Sequence, residues 1–171
     1  MRFTRITLDD LERLRAFAER TFRIAFEQDN DPERFEAYCQ KSFSVQQIHK
    51  ELRHSASQFW FAWEGETLAG YLKLNFDEHP KQLGSLQTVK VERLYVDPAL
   101  QSQGIGGKML DFALEKAREV QAEWIWLSVW QVKPRSIQFY QRCGYEIFGE
   151  ETFWLADEAQ IDWLMKKAVF I

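Results

Sequence analysis

The stretch LQTVKVERLYVDPALQSQGIGGKML, residues 86–110, decides the fold. Residues 86–96 read as a strand in which Val89 and Val91 share one face, and strict alternation would next place Arg93 on that face. The aliphatic residues resume instead at Leu94 and Val96, one position out of phase. Two explanations fit: a β-bulge near Glu92-Arg93, which inserts one residue and redirects the backbone, or a strand buried on both faces with Tyr95 packed as well. Beyond Asp97-Pro98 the chain passes through Gln101-Ser102-Gln103-Gly104-Ile105-Gly106-Gly107 into a helix expected over 104–120. Glycines let a backbone approach a ligand closely. The first amides of a helix have no internal partner, and with the helix dipole they form an anion site suited to a phosphate. A helix start that is merely Gly-rich is the alternative. Two other phosphate motifs are excluded: Ser102 stands where a Walker A loop needs Gly and Met109 follows Lys108, while a Rossmann fingerprint from Gly104 needs Gly at 109.

On the N-terminal side, residues 2–7 suggest a short strand, and Asp9 or Asp10 can cap a helix running to about Glu27 through Leu11, Leu14, Phe17, Phe22 and Phe26. Pro32 suits the first turn of a second helix bearing Phe35 and Tyr38, and Ser44 opens a third with Val45, Ile48 and Leu52. The period then changes to two. Residues 58–63 and 67–76 are expected strands joined around Gly65, and 77–84 a polar loop. On the C-terminal side, WIWLSV at 124–129 reads as a buried strand. A helix at about 134–142 should end with Gly144 as its C′ residue, and strands near 145–154 and 162–170 close the chain. The sum is an α/β chain with a mixed central sheet of about six to seven strands flanked by helices.

The chain has 171 residues, of which 46% are hydrophobic and 15% aromatic, with only 8 Gly and 4 Pro. That composition excludes a disordered or linker-rich chain and fits one domain over 1–171. The net charge of −4 lacks the basic excess of a nucleic-acid binder, so no nucleic-acid partner is expected. Cys39 and Cys143 have no CxxC spacing and read as reduced thiols. The charged N-terminus carries no signal peptide and no stretch has the length of a membrane span, so a cytoplasmic location is expected. His49, His54 and His79 have no metal-site spacing, and no metal is expected.

Val96, Pro98, Gln101, Gly104, Gly106 and Leu110 together resemble the acetyl-CoA signature of the GNAT superfamily of N-acetyltransferases. SIQFYQRCGYEIFG at 136–149 resembles that family's helix with a catalytic Tyr, and the order of strands and helices matches from end to end. Within the superfamily, Thr21-Phe22, Asn30, Pro32-Glu33, Ala37-Tyr38, Lys50-Glu51-Leu52, Ala69-Gly70-Tyr71 and Glu92–Val96 are similar to the PaiA-type polyamine (spermidine/spermine) N-acetyltransferases. One departure stands out. Alignment on Ser136 and Tyr140 puts Lys133 where many members carry an Asn that bonds the cofactor, and Lys offers no acceptor oxygen.

The resemblance implies a GNAT fold with a bulged fourth strand, acetyl-CoA as co-substrate and a small-molecule amine as acceptor; a homodimer is compatible with it. It implies that the backbone of Leu94, Tyr95 and Val96 holds the pantetheine and stabilises the oxyanion. The amides of Ser102, Gln103, Gly104, Ile105, Gly106 and Gly107 would hold the pyrophosphate, with Lys133 beside the cofactor. Tyr140 becomes the general acid, since a phenol can protonate a departing thiolate; from spacing alone it reads equally as a core residue. Glu92 is the candidate base, with a salt bridge to a neighbour as its alternative. Glu27, Asp29 and Asp31 could draw in a cationic substrate, and Trp130, Phe153 and Trp154 could wall its site. Acetyltransferases for other amines (a protein N-terminus, an amino acid, an antibiotic) and a non-catalytic acetyl-CoA-binding module are the competing readings.

Overall fold

The computed structural model describes residues 1–84 and 87–170. Seven strands form one sheet: β1 (Arg2–Arg5), β2 (Ser57–Glu64), β3 (Thr67–Asn75), β4 (Thr88–Val96), β5 (Trp124–Trp130), β6 (Glu146–Leu155) and β7 (Glu158–Ala168), in spatial order β1-β2-β3-β4-β5-β7-β6. All neighbours are antiparallel except β4 and β5. Helices α1 (Leu11–Phe26), α2 (Pro32–Ser42) and α3 (Val45–Leu52) precede β2, α4 (Ile105–Glu119) joins β4 to β5, and α5 (Pro134–Arg142) joins β5 to β6. A parallel pair needs such a crossover, and α4 supplies it. Leu86, the first residue of the expected fourth strand, lies outside the described residues.

The sheet separates two cores. On one side Val89, Val91, Leu72, Leu74, Ile125 and Leu127 pack with Met109, Leu110, Ala113 and Leu114 of α4, and Phe139 and Tyr140 of α5 pack against the same cluster. On the other, Phe59, Phe61 and Tyr71 meet Leu14, Phe17, Phe22, Phe35, Phe43 and Ile48. The aromatic-rich composition is concentrated there, with Phe22 stacked on Phe35 and Tyr38 at centroid separations of 5.5 and 5.4 Å.

The bulge resolves the phase slip of β4. Lys73 pairs with Arg93 and Leu74 with Val91, so Glu92 is the extra residue. Val89, Val91, Leu94 and Val96 therefore all meet the α4 core, while Tyr95 packs on the α1 side. Arg93 also turns to that side, where it and Lys73 share the Glu51 carboxylate of α3 at 2.9 and 3.0 Å. This largely buried triad fastens α3 to the bulge.

Several boundaries differ from the sequence reading. Helix α1 has no side-chain cap; Asp10 instead accepts the Thr7 N–H at 3.1 Å, closing a 3₁₀ turn ahead of the helix. The last two strands are joined by a two-residue turn with Ala156 at φ +54, so β7 begins at 158 rather than 162. At its start the buried residue is the polar Gln160, while Ala159 and Ile161 are exposed, and this inverted pattern hides the strand. Arg34 of α2 holds the hairpin tip through Asp157 at 2.8 Å. As expected, Ser44 caps α3, and Asp31 caps α2 ahead of Pro32.

Gly70 sits where β3, β4 and α4 converge, and a Cβ there would lie 2.6 Å from the Tyr95 carbonyl oxygen and 3.0 Å from Met109 Sδ. Overpacking against backbone costs about 1–3 kcal/mol. Gly70→Ala should lower the free energy of unfolding by an amount in that range, read from urea unfolding followed by circular dichroism; an unchanged free energy would show that the approach is not tight.

Candidate active site

The bulge opens a cleft. Strands β4 and β5 pair only through Thr88–Trp124, Val89–Ile125 and Lys90–Trp126. Beyond them β4 keeps β3 on one edge and has no strand on the other, while β5 stays paired with β7. A cavity of about 550 Å³ fills the gap, lined by Val91–Val96, Ser128–Trp130, Tyr140 and residues of the α1–α2 arm. An open strand edge offers unpaired N–H and C=O groups to an extended ligand.

The Gly-rich turn lies beside the cavity. Pro98 and Gln101 line it, whereas 102–107 do not. Gln101 donates its side-chain amide to the Val96 carbonyl at 3.3 Å and so steadies the end of β4. Ser102 and Gly104 take positive φ, +64 and +77, and Gly104 is the N-cap of α4 without a side-chain cap. The first backbone bond into the helix is Lys108 N to Gly104 O, which leaves the amides of Ile105, Gly106 and Gly107 outward. Open space surrounds the Cβ positions of Gly104 and Gly107, while a Cβ on Gly106 would press on Phe139 at 3.0 Å. Arg135, in the first turn of α5, lines the cavity and has no ion-pair partner among the described residues. The sequence reading did not name it as a site residue.

Tyr140 is held by the end of its own helix. Tyr145 N–H donates to the Tyr140 carbonyl at 3.0 Å and Gly144 N–H to Gln141 at 2.9 Å, a Schellman closure with Gly144 at φ +86. The ring packs on Phe139 and Tyr145 and faces the cavity. Burial pushes its phenol up to about 12, so the hydroxyl keeps its proton throughout the neutral range.

Glu92 lines the cavity and pairs with Lys90 at 2.8 Å; Lys90 also bonds Glu78. The salt-bridge alternative weighed for Glu92 is therefore present, with Lys90 rather than Arg93 as partner. Two carboxylates that the sequence reading missed lie across the cavity. Glu151 accepts from Ser128 Oγ at 2.5 Å, and Asp162 is its cross-strand neighbour. Asp162 has one buried oxygen without a hydrogen-bond partner. Burial, then the nearby Glu151 charge, pushes Asp162 up to about 6. Both lie in strands the sequence reading expected, and only the β6–β7 register reveals them as a pair.

The expected acidic entrance is not formed. Glu27 bonds Arg23 at 3.3 Å, Asp31 caps α2, Asp29 pairs with Lys133, and none of the three lines the cavity. Lys133 does line it, but its ammonium points to α1: it donates to the Ala25 carbonyl at 2.7 Å and to Asp29. Trp130 and Phe153 are wall residues, whereas Trp154 is 60% exposed and faces solvent.

A model of the acetyltransferase (GNAT) family matches residues 11–145. An uncharacterized N-acetyltransferase in the pepI 3′ region of Lactobacillus delbrueckii subsp. lactis is 31% identical over 169 residues, spanning 99% of this chain and 98% of that one. Among solved structures, the PaiA N-acetyltransferase of Thermoplasma acidophilum in complex with coenzyme A has a TM-score of 0.78 at 19% identity over 98% of both chains. A spermidine N-acetyltransferase SpeG chimera from Vibrio cholerae and hSSAT has a TM-score of 0.70 at 15% identity, over 99% of this chain and 96% of that one.

Asp162 also makes stability depend on pH. Its folded pKa of about 6 lies above the unfolded value near ~3.9. The unfolded chain therefore binds fewer protons between those values, and stability falls as pH rises through them. Asp162→Asn should raise Tm at pH 8 and leave it unchanged near pH 3.5, read by thermal melts across pH. Equal gains at both pH values would mean that the carboxylate is not the cause.

Proposed function

The chain belongs to the acetyltransferase (GNAT) family, and from that premise we propose that it transfers the acetyl group of acetyl-CoA to a primary amine of a small polyamine such as spermidine or spermine. The observation that carries the reading is the cavity at the splayed β4–β5 edge. It brings an open strand, a buried phenol and the carboxylates Glu92, Glu151 and Asp162 to one space. The spermidine N-acetyltransferase chimera shares the fold, and the carboxylates Glu92, Glu151 and Asp162 among the lining residues offer partners to a cationic acceptor.

The residues present fit acetyl-CoA. The free edge of Leu94–Val96 matches an extended pantetheine arm. The outward amides of Ile105–Gly107, with room at Gly104 and Gly107, match a pyrophosphate, and Arg135 adds a positive charge nearby. Bound acetyl-CoA supplies an acyl group activated as a thioester. The chain does the rest. Unpaired amides of β4 stabilise negative charge developing on the attacked carbonyl oxygen. The Tyr140 hydroxyl holds a proton for the departing sulfur. Its pKa exceeds that of a thiol in water, near ~8.5, but the burial that raises the phenol also disfavours a thiolate beside it. The acceptor arrives as an ammonium and must lose a proton before attack. Glu92 and Asp162 face the cavity as its acceptors, and burial together with the Glu151 charge raises the basicity of Asp162.

Gly107→Asp tests the phosphate site cleanly, because an acidic residue in a first helical turn suits the helix and no atom blocks the Cβ. The variant should fold as the parent does and bind acetyl-CoA at least about tenfold more weakly by isothermal titration, since its carboxylate enters the anion site. Unchanged affinity would displace the pyrophosphate from this turn.

The acceptor reading is tested by an amine panel with free thiol release as readout. Spermidine and spermine should have a higher kcat/KM than butylamine, and the advantage should shrink as salt screens the charges. Tyr140→Phe should lower kcat by ~10²–10⁴-fold with acetyl-CoA affinity unchanged. Equal use of butylamine at every ionic strength would overturn the polyamine assignment, and full turnover in the Phe variant would overturn the role of Tyr140.

A further inference from the structure

Helix α1 ends at Phe26, and its last carbonyls form the negative pole of the helix. One of them, Ala25, accepts a hydrogen bond at 2.7 Å from the ammonium of Lys133, which also bonds Asp29. That nitrogen lies 5.0 Å from the centre of the Phe26 ring and 5.9 Å from that of Trp130. A helix-end carbonyl, a carboxylate and two aromatic faces thus surround one organic cation, and each is a recognition element for an ammonium group. Ala25, Phe26, Trp130 and Lys133 all line the reaction cavity. The Lys133 side chain is 22% exposed, so the box opens to the cavity mouth.

We propose that this box is the seat for a second ammonium of the acceptor, and that Lys133 occupies it as an internal stand-in until the substrate arrives. The inference rests on the amine-acetylation reading above and narrows its substrate class to amines bearing a further cation. Exchange of one ammonium for another leaves the charge of the box unchanged, so displacement needs no uncompensated carboxylate. The lysine sits on a flexible four-carbon stem from the N-cap of α5, and rotation of the stem frees the box without moving a backbone element. An acceptor with a single amine has no group to exchange for Lys133. A diamine or polyamine has one, and its remaining amine is then held within the same cavity as Glu92, Asp162 and Tyr140. Lys133 accordingly taxes the binding of every polycation by the free energy of its own contacts.

Lys133→Met keeps the stem and removes the competing cation. Isothermal titration of the whole chain without acetyl-CoA should give spermidine about tenfold tighter binding to Lys133→Met than to the parent, the scale of one partly desolvated cation–π and ion-pair contact. Butylamine binding should not change. Adding Asp29→Asn to Lys133→Met should remove most of the spermidine gain. Lys133→Arg, which retains a cation, should bind spermidine as the parent does and covers the case in which the Met variant fails to fold: tighter binding by Lys133→Arg would overturn the stand-in role. Equal spermidine affinity in the parent and in Lys133→Met, or an equal gain for butylamine, would also overturn it. Because the readout is binding, it separates from the acetylation reading. Spermidine turnover by the parent without a gain in Lys133→Met defeats the box alone. A binding gain without turnover defeats the acetylation reading and leaves a cation site.

Discussion

Glu92 is one residue more than the β3–β4 ladder can pair, and the site is built around that surplus. The extra residue rotates the rest of β4 by one pleat, so that Leu94 and Val96 rejoin the α4 core and Arg93 and Tyr95 turn to the α1 side. The same local twist carries β4 away from β5, whose pairing with it ends at Lys90 and Trp126. A regular strand would have kept both partners and left no cleft. The bulge is itself fixed from both faces: aliphatic packing on α4 on one side, and on the other the Glu51–Arg93–Lys73 triad. The triad holds the Glu51 carboxylate below its usual range, because Arg93 and Lys73 outweigh the burial that would raise it.

Everything the cleft needs is delivered by an element end. The Gly-rich turn presents the N-terminus of α4, the Schellman closure sets Tyr140 at the C-terminus of α5, and the tail of α1 supplies a negative pole at the rim. Helix ends carry unpaired backbone groups and the ends of the helix dipole. A splayed sheet edge collects several of them around one cavity. Arg135 and the carboxylates Glu92, Glu151 and Asp162 all line that one cavity.

The carboxylates illustrate how poorly a string of acids predicts a field. Glu27, Asp29 and Asp31 are close in sequence and look like an acidic patch, yet each has a local cation or helix amide as partner. Glu151 and Asp162 are not neighbours in sequence and sit opposite each other because β6 and β7 pair in one hairpin. Desolvation and mutual repulsion then raise Asp162, which makes it a stronger proton acceptor than an exposed aspartate.

Local sequence determined what depends on neighbours along the chain. Alternation interrupted near Glu92-Arg93 marked the bulge, the glycines from 104 to 107 marked the turn into α4, Gly144 marked the end of α5, and Pro32 and Ser44 marked helix starts. Tertiary structure alone decided the rest. The two explanations of the phase slip in β4 both hold: the ladder skips Glu92, and Tyr95 packs on the α1 side while Leu94 and Val96 meet the α4 core. The start of β7, 158 to 161, escaped notice because its buried residue is the polar Gln160 while Ala159 and Ile161 point outward, and the place of Asp162 opposite Glu151 follows only from the β6–β7 register. Lys133 aligned with a cofactor-binding position, yet its ammonium went to Ala25 and Asp29, because a long side chain takes the nearest strong acceptors in space. Period, capping and turn chemistry are properties of a few consecutive residues. The partners of a charge and the burial that sets its pKa are properties of the packed molecule.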